Sequence, residues 1–457
     1  MKVAVIGGGV GGLAAATRLA IHGHQVTIFE ARDDVGGIAS GLQAGGVWFD
    51  GGPYILLDRP GLEWALEKIE VDITALRLSA VEHLYQVGDV NIFRDLKRTA
   101  DAMGAAGPAY VKFVREMEAI RTRLTPLLRV SHPSAIELAR HGSLSIAPFL
   151  LRSLGSVMRR SGLPREIVDA VAIWTHVAGQ PIDSAPSVMA FVPALIHCVG
   201  AFVPGDGMRA IPKLLAENAR RAGVAIRCGK AIHKIVTRNN HVIAVDDEAC
   251  DAVVSNYNGI GTYDELVDVP ERVRRKLRAL PLQSPGVCAY LSAKSGDGPY
   301  LRFKLAPLTP SLSPQAGRRW SRGAGPGEGL RLRVTTGTTV RMITPFDRNT
   351  TEEEQAAALK QMLDDSWWRE GLLDVQLLHS RTVRGWGRDM HLYRDSMNPA
   401  MTRQLMLGGR LAHRSPWVKG LYLAGASTHP GQWVSFCAIS GVLAADLLNS
   451  DHAAGSI

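Results

Sequence analysis

Residues 2–30 read KVAVIGGGVGGLAAATRLAIHGHQVTIFE, and this stretch decides the fold. A β-prone run at 2–6 leads into a glycine turn, a helix-prone run at 13–20 follows the turn, and an alternating run at 25–30 comes next. The spacing predicts a strand, a turn, a helix and a second strand, which together form one βαβ unit.

Three glycines in the turn, Gly7, Gly9 and Gly12, form the pattern G-x-G-x-x-G. Gly7 permits the tight turn, Gly9 lets the backbone approach a pyrophosphate, and Gly12 allows the helix to pack closely on the strand. Glu30 ends the second strand, where a carboxylate can accept hydrogen bonds from ribose hydroxyls. The constellation predicts a dinucleotide site. The alternative is a chance glycine-rich turn beside an unrelated surface glutamate.

The next residues, 31–40, read ARDDVGGIAS, and with them the chain resembles a flavin-dependent family. This family contains bacterial phytoene desaturases, flavin amine oxidases and protoporphyrinogen oxidases, and it uses a second glycine pair, here Gly36-Gly37, beside the pyrophosphate of FAD. Many relatives carry an arginine directly after the pair, whereas this chain has Ile38. The resemblance implies FAD as the cofactor and leaves one phosphate contact to Arg32 or to a backbone amide.

Three further stretches resemble motifs of the same family. FDGGP at 49–53 resembles the segment placed near the isoalloxazine ring, PGDGMRAIP at 204–212 with DAVVSN at 251–256 resembles the central block, and LYLAGASTHPG at 421–431 resembles the C-terminal flavin motif. They indicate the phytoene desaturase branch and its relatives. The resemblance implies that Ile232 lies against the adenine through its backbone. The full set of cofactor-binding residues that it implies is Gly7, Gly9, Gly11, Gly12, Glu30, Ala31, Arg32, Gly36, Gly37, Gly52, Pro53, Ile232, Gly425, Ala426 and Val434.

The fold class that follows is α/β: a Rossmann-like FAD-binding domain of the GR2 type with an inserted, mixed α+β substrate domain. We expect the FAD-binding domain to be discontinuous and to comprise residues 1–80, 201–260 and 405–457. Residues 81–200 and 261–404 then form the substrate domain.

One segment of the second insertion, residues 307–329, is dense in proline, glycine, serine and arginine and has no hydrophobic period. We expect a disordered surface insertion there, in preference to a functional lid. Its deletion should leave cofactor binding intact.

The start of the last helix departs from the family pattern. Residues 431–436 read GQWVSF, where desaturase relatives usually carry glycine, proline and aliphatic residues. A helix beginning near Val434 would direct unpaired amides at the flavin, which favours hydride acceptance. Gln432 and Trp433 indicate a changed substrate or a shortened cavity, or they pack under the flavin ring. His429 is an acid–base candidate, although a structural hydrogen bond explains a histidine there equally well, and the catalytic side chains are otherwise unknown.

Composition excludes several classes of protein. The chain has 457 residues, 46% hydrophobic and 21% charged, which is typical of globular rather than disordered or fibrous proteins. Its five cysteines are scattered and form no C-x-x-C pair, so we expect a reducing compartment, the cytoplasm, and no metal site. The apolar stretch 186–204 contains His197 and glycine and proline breaks, which favours a buried segment with a core histidine over a membrane span.

A net charge of +9 suits an anionic partner. Much of it lies between residues 111 and 165, where basic residues outnumber acidic ones, and residues 146–160 combine large apolar side chains with arginines, as an interfacial helix does. Two interpretations stay open: peripheral contact with the inner face of the membrane, or a solvated helical face. No ladder of aromatic and basic residues accompanies the arginines, so nucleic acid is not an expected partner.

The resemblance implies an FAD-dependent oxidoreductase that transfers hydride from a hydrophobic, carotenoid- or isoprenoid-like substrate to the flavin and forms a carbon–carbon double bond. Three alternatives of the same fold stay open: a flavin amine oxidase, a reduced-flavin isomerase or saturase, and a prenyl- or lipid-binding chaperone without enzymatic activity. The glycine motif with Glu30 and the C-terminal flavin motif argue against the chaperone, because a protein without flavin needs neither.

Overall fold

A five-stranded parallel sheet contains the βαβ unit that the sequence predicts. The structure, a computed structural model, describes residues 1–177, 180–296, 298–305 and 330–457; the predicted insertion at 307–329 lies outside the described residues. In spatial order the five strands are Leu421–Leu423, Ala252–Ser255, Lys2–Ile6, Gln25–Phe29 and Ala225–Arg227.

Helices cover one face of this sheet, and a smaller sheet with short helical segments covers the other. The helices of the first face are Val10–Ile21, Arg59–Glu67, Ala210–Arg221 and Val434–Ala453. The elements of the second face are the strands Ile235–Arg238, His241–Val245 and Glu248–Ala249 and the helical segments Gly259–Gly261, Thr262–Leu266 and Glu271–Arg278. Pairing in the first of these strands begins at Ile235.

The helix Val10–Ile21 packs tightly against the C-terminal helix Val434–Ala453. A Cβ added to Gly441 would lie 2.2 Å from the carbonyl oxygen of Gly11, so the helices touch where both residues lack a side chain. Within the described ranges, Val434–Ala453 is the one helix with the length and hydropathy of a membrane span, and 56% of its apolar window is buried inside the protein, as in a core helix.

A second sheet of seven strands joins the two insertions. Its strands pair antiparallel except for one parallel pair, in which Leu301 lies opposite Tyr85 and thereby connects the second insertion to the first. In spatial order they are Leu372–Arg381, Gly286–Ser295, Thr339–Pro345, Arg331–Thr336, Leu301–Lys304, His83–Val87 and Val90–Phe93. We keep the two-domain division with the boundaries given above as a proposal.

The remaining elements surround this sheet or link it to the parallel one. Three short strand pairs are Leu42–Ala44 with Val47–Phe49, Ser79–Ala80 with Phe202–Val203, and Leu282–Gln283 with Asn398–Pro399. The other α-helices are Leu96–Ala102, Gly107–Leu124, Ala135–Arg140, Ala147–Leu150, Leu154–Ser161, Arg165–Val177, Val192–Ala194, Glu352–Asp364 and Val383–Met390.

The stretch 146–160 is not the single interfacial helix that its composition predicts. It forms two helices, Ala147–Leu150 and Leu154–Ser161, because the amide of Leu154 donates to the carbonyl of Ala185 instead of continuing a helix. Most of its large apolar side chains, from Phe149 onward, are buried in the helical core.

The apolar stretch 186–204 is buried, as predicted, and forms short helical turns rather than a long span. His197 in it is hydrogen-bonded through both ring nitrogens, to the hydroxyl of Tyr110 and to the carbonyl of Arg94, each at 3.0 Å. The prediction of a satisfied histidine is confirmed.

Candidate functional site

The two glycine motifs lie side by side and form one backbone cradle. The amide of Gly36 donates to the carbonyl of Gly8 at 2.7 Å, and Gly9 pairs with Gly36 in an isolated bridge. Gly36 has a φ of 113°, which favours glycine, and a Cβ on Gly12 would lie 2.1 Å from the carbonyl oxygen of Gly7. The close approaches that the spacing predicts are therefore present.

The helix that follows the cradle begins without a capping side chain. Gly9 precedes the helix Val10–Ile21 and offers no side chain to its first amides. Unpaired amides at a helix N-terminus bind anions well, since the helix dipole adds to their partial positive charge. Gly7, Gly9 and Gly11 all line the cavity at this point, so the cradle is open to a phosphate-bearing ligand.

Glu30 is buried at the end of its strand with both oxygens engaged. Oε2 accepts from the amide of Gly8 at 2.7 Å and Oε1 accepts from the amide of Arg32 at 2.9 Å. Each carboxylate oxygen can accept a second hydrogen bond, so Glu30 keeps capacity for ligand hydroxyls. Because it also fixes the glycine turn, a surface glutamate unrelated to the turn is excluded.

Arg32 lies over the second glycine pair. Its Nη1 donates to Ser40 Oγ at 2.8 Å and to the carbonyl of Gly37 at 3.4 Å, and its side chain lines the cavity with Ala31. It is thus positioned beside the pair whose usual arginine is replaced by Ile38. The side chain of Ile38 instead packs against Gly52: a Cβ added to Gly52 would lie only 2.0 Å from Cγ2 of Ile38.

Gly52 and Pro53 line the same cavity on a loop that is held by hydrogen bonds from two sides. The amide of Gly52 donates to the carbonyl of Ile38 at 2.8 Å. From the other side, Arg341 Nη2 donates to the carbonyl of Gly52, also at 2.8 Å. The sequence reasoning missed Arg341, because it lies on a distant strand and belongs to none of the recognised motifs.

Gly425 and Ala426 follow the edge strand Leu421–Leu423 and close the cradle. The amide of Gly425 donates to Ser440 Oγ at 2.8 Å. Asn256 fills the space next to it, because a Cβ on Gly425 would lie 2.6 Å from Asn256 Oδ1. Asn256 was missed as a site residue, although it directly follows the carboxyl end of a parallel strand, which is where such folds bind ligands.

Two further predicted positions, Ile232 and Val434, also line the cavity. Ile232 lines it with His233, beyond the end of the strand that carries Glu30. Val434 begins the C-terminal helix, whose preceding residue, Trp433, provides no side-chain cap. The roles of both residues toward the cofactor stay predictions.

One cavity of about 1380 Å³ is lined by every predicted cofactor-binding residue except Gly12, which packs against Gly7 instead. A pocket for one small ligand has about 300–1,000 Å³, so this cavity has room for a dinucleotide cofactor and a further molecule. Away from the cradle its lining is mainly apolar and includes Leu138, Val188, Phe191 and Leu195. Trp433 also lines it and stacks on Phe436 with ring centroids 5.1 Å apart.

His429 lines the cavity, but its ring is engaged in a structural hydrogen bond. Its Nε2 lies 2.8 Å from the carbonyl oxygen of Leu127, which can only accept, so this nitrogen carries the proton. Burial and the nearby charge of Arg410 lower the pKa of His429 to about 3. This geometry favours the structural interpretation, and a catalytic role of His429 stays a prediction for mutagenesis.

Arg410 is a further cavity residue that the sequence reasoning missed. Its Nη1 donates to the carbonyl of Thr428 at 3.1 Å, and its Nη2 lies 2.9 Å from the sulfur of Met401. Burial lowers the pKa of Arg410 to about 10, which still leaves the side chain charged at neutral pH. No signal in the sequence distinguishes it from the other arginines.

The residues present fit the FAD that the resemblance implies. The cradle glycines Gly7, Gly9 and Gly36 line the cavity with backbone alone, Glu30 has free acceptor capacity, and two helices direct uncapped N-termini toward the same cavity. The cavity is also large enough for the cofactor and a second molecule.

This chain is similar to a known protein family and to several characterised desaturases. The model of the family described as FAD dependent oxidoreductase matches residues 2–447. A 1-hydroxycarotenoid 3,4-desaturase from a Flavobacterium species is 26% identical over 61% of this chain and 61% of its own length. A zeta-carotene-forming phytoene desaturase from Myxococcus xanthus is 26% identical over 64% of this chain and 60% of its own. A hydroxyneurosporene desaturase from Rubrivivax gelatinosus is 25% identical over 98% of this chain and 93% of its own length.

Solved structures share the architecture at low sequence identity. An oxidoreductase from Methanosarcina mazei has a TM-score of 0.64 and 18% identity, covering 96% of this chain and 99% of that one. A redesigned putrescine oxidase has a TM-score of 0.59 and 15% identity, and the match covers 98% of this chain and 99% of that one. At these identities the likeness shows that the fold is shared.

Proposed function

Because this chain belongs to the family of FAD-dependent oxidoreductases, we propose that it oxidises an apolar, carotenoid- or isoprenoid-like substrate by hydride transfer and forms a carbon–carbon double bond in it. The predicted α/β fold, the FAD cofactor and the enzyme class are established by that membership. The substrate class and the bond formed are our proposal.

The observation that carries the proposal is the continuity of one cavity from the glycine cradle to an apolar region. Apolar side chains such as Leu138 and Leu195 bind hydrocarbon chains by excluding water from both surfaces. The desaturases that resemble this chain are named for carotenoids, which are long and apolar, and this supports the same substrate class.

We propose the following roles for the chain's own residues. Gly9 and Gly36 would hold the pyrophosphate, Glu30 the ribose, and Ile232 the adenine. Bound FAD would accept a hydride from one C–H bond, and the neighbouring carbon would release a proton to water, which completes the double bond. The uncapped amides at Val434 would stabilise negative charge that develops on the flavin side of the site.

The apolar lining would orient the substrate and keep the site dry. Trp433 and Phe436 form a stacked pair in the cavity wall beside the start of the C-terminal helix. A dry, preoriented site is the main contribution that a protein makes to such a transfer.

Peripheral contact with the inner face of a membrane is a further part of the proposal. Ile136, Leu144 and Leu151 are each more than half exposed, at 65%, 53% and 59%. They lie on segments that adjoin the cavity-lining residues Leu138 and Leu150. Apolar side chains exposed near a cavity for apolar substrates suit insertion into a lipid surface.

Anaerobic visible spectroscopy of the FAD-loaded enzyme tests the proposal. Detergent-dispersed isoprenoid polyenes and then amines are added while the oxidised flavin band is followed. Bleaching by a polyene, with a product carrying one more double bond, supports it. Bleaching by amines alone points to the amine oxidase alternative and overturns it.

A matched pair of tryptophan variants makes the test specific to the cavity. Val188→Trp places bulk in the apolar lining, and Leu373→Trp places the same bulk on an exposed position of the strand Leu372–Arg381. We expect the first variant to slow polyene-dependent bleaching at least tenfold and the second to leave it unchanged. Equal rates in both variants contradict binding in this cavity.

A further inference from the structure

Arg410 is a partly buried cation that lines the cavity without a carboxylate partner among the described residues. Its hydrogen bonds go to a neutral carbonyl, that of Thr428, and to the thioether of Met401. A buried charge is costly unless an opposite charge or several strong hydrogen bonds compensate it. Neither contact provides an opposite charge.

Another arginine in the same cavity shows the usual arrangement. Arg121 also lines the cavity, and its Nε and Nη2 donate to the two carboxylate oxygens of Glu118, each at 2.7 Å. This two-pronged pair neutralises the charge within the protein. Arg410 has the same chemistry and lacks such a partner.

The titratable neighbours of Arg410 add no negative charge. Burial lowers the pKa of His413 to about 4 and that of His429 to about 3, and the charge of Arg410 lowers both further in the same direction. Both rings are therefore neutral at pH 7. The field at this part of the cavity is positive and favours an anion.

Two glutamines in the cavity wall, Gln432 and Gln283, have side-chain amides that are not fully hydrogen-bonded within the described part of the chain. Gln432 lies next to Gly431, where an added Cβ would meet Arg410 Nη1 at 3.0 Å. Gln283 pairs with Asn398, on the segment that continues to Met401. Both glutamines line the cavity, and among the described residues the buried amide oxygen of each has no hydrogen-bond partner. No hydrogen bond therefore fixes that oxygen in place, and the NH₂ group of each amide can donate to an anion. Buried amides without partners are rare in native proteins unless a ligand or water completes them.

We propose that Arg410 forms an anion subsite that binds a carboxylate at one end of an otherwise apolar substrate, with the side-chain NH₂ groups of Gln283 and Gln432 as further donors to the same carboxylate. This inference rests on the proposed function, since it adds a charged end to the apolar substrate of the same cavity. A guanidinium has five donors in a planar fork that matches a carboxylate, and the protein occupies only part of this capacity here.

Equilibrium binding to the FAD-loaded enzyme tests the subsite. The probes are cis-parinaric acid, a conjugated polyene carboxylic acid that fluoresces in apolar surroundings, and its methyl ester, which has the same chain without the charge. We expect the wild type to bind the acid at least tenfold more tightly than the ester. Arg410→Gln should reduce this ratio to about one while the affinity for the ester changes less than threefold.

Two kinds of variant keep the test independent of folding defects. Arg410→Lys retains the charge without the fork and should lower the acid-to-ester ratio at least threefold, and Gln432→Leu and Gln283→Leu should each lower it as well. The matched control is Arg388→Gln, which removes an exposed arginine outside the cavity and should leave the ratio unchanged. Flavin absorbance and circular dichroism establish that each variant is folded and loaded.

The outcomes separate this inference from the proposed function. If the wild type binds acid and ester equally, or if the ratio survives in all the Arg410 and glutamine variants, the subsite is wrong and the apolar substrate class stands. If neither probe binds, the apolar substrate class itself fails. If Arg410→Gln shifts the flavin reduction potential and leaves the ratio intact, the guanidinium serves the cofactor rather than the substrate, and the subsite is again overturned.

Discussion

The guanidinium of Arg341 donates a 2.8 Å hydrogen bond to the carbonyl oxygen of Gly52, a residue 289 positions earlier in the chain. The same group donates to the carbonyls of Asp50 and Gly51. Arg341 lies on the strand Thr339–Pro345, so one side chain ties the seven-stranded sheet to the loop that the resemblance places near the isoalloxazine ring.

Arg341→Met should weaken FAD binding and lower the thermal unfolding temperature by several degrees. The substitution keeps an apolar stem but leaves three backbone carbonyls without their donor, and each buried carbonyl without a donor costs about 1–3 kcal/mol. FAD titration of the apoprotein and thermal unfolding measure the two effects. Lys294→Met, on the neighbouring strand and exposed, is the control, and equal FAD affinity in both variants would contradict a positioning role for Arg341.

The local parts of the site can be predicted from the sequence. Gly9 and Glu30 lie within one βαβ unit, where spacing along the chain fixes spacing in space, and the structure places both at the cavity. Their motif needs no knowledge of tertiary contacts, because the strand, turn and helix form it together.

The residues that distant segments contribute outside the recognised motifs could not be predicted. Arg341 and Arg410 belong to no spacing pattern, and their functional meaning depends on what surrounds them after folding: backbone carbonyls for the first, and a carbonyl and a thioether for the second. The prediction of one helix over residues 146–160 was wrong for the same reason. The amphipathic composition suits a single helix, but the amide of Leu154 donates to the carbonyl of the distant residue Ala185, and the stretch therefore forms two helices.

Glu30→Gln should weaken FAD binding about ten- to hundredfold. The amides of Gly8 and Arg32 each need an acceptor, and glutamine offers one oxygen where glutamate offers two, so one amide then faces the NH₂ group. A loss of about 1–3 kcal/mol corresponds to this range. Titration of the apoprotein with FAD gives the affinity. Glu217→Gln, on the exposed side of the helix Ala210–Arg221, should bind FAD as the wild type does.

Stability should fall as the pH decreases from 7.5 to 5, in part because of His429. Its pKa is lowered from 6.5 to about 3 in the folded protein, so below pH 6.5 the unfolded chain takes up a proton that the folded protein does not. This linkage favours unfolding by about 2 kcal/mol at pH 5. His429→Asn, whose amide can still donate to Leu127, should lose about 2 kcal/mol less than the wild type over this interval.

Chemical denaturation at both pH values measures this difference. His241→Gln, an exposed position on the strand His241–Val245, serves as the control and should follow the wild type. An identical pH dependence in His429→Asn and the wild type would show that His429 is not held neutral. The same variant tests catalysis: retained turnover supports the structural role, and loss of turnover in a folded, FAD-loaded protein supports the acid–base role.

Replacing residues 306–329 by a two-residue turn should leave FAD binding within twofold of the wild type. Lys304 pairs with Arg331 in an antiparallel ladder, so the two ends are already adjacent and a short turn can join them. A shorter loop also lowers the entropy cost of closure, by about 1–2 kcal/mol for this change in length. We therefore expect an equal or slightly higher unfolding temperature. Loss of FAD from the shortened chain would instead indicate that the segment acts at the site.

Sedimentation with lipid vesicles should reveal the membrane contact and its residues. We expect the enzyme to sediment with vesicles that contain phosphatidylglycerol and to be released by salt, because basic residues accompany the exposed apolar ones and their attraction to anionic lipid is screened. Ile136→Ser combined with Leu144→Ser and Leu151→Ser should reduce the bound fraction at least fivefold. Leu373→Ser with Leu377→Ser removes exposed leucines from a strand at the edge of the seven-stranded sheet and should change nothing. If the triple variant sediments like the wild type, the exposed residues near the cavity are a solvated face, which is the alternative that the arginine-rich sequence leaves open.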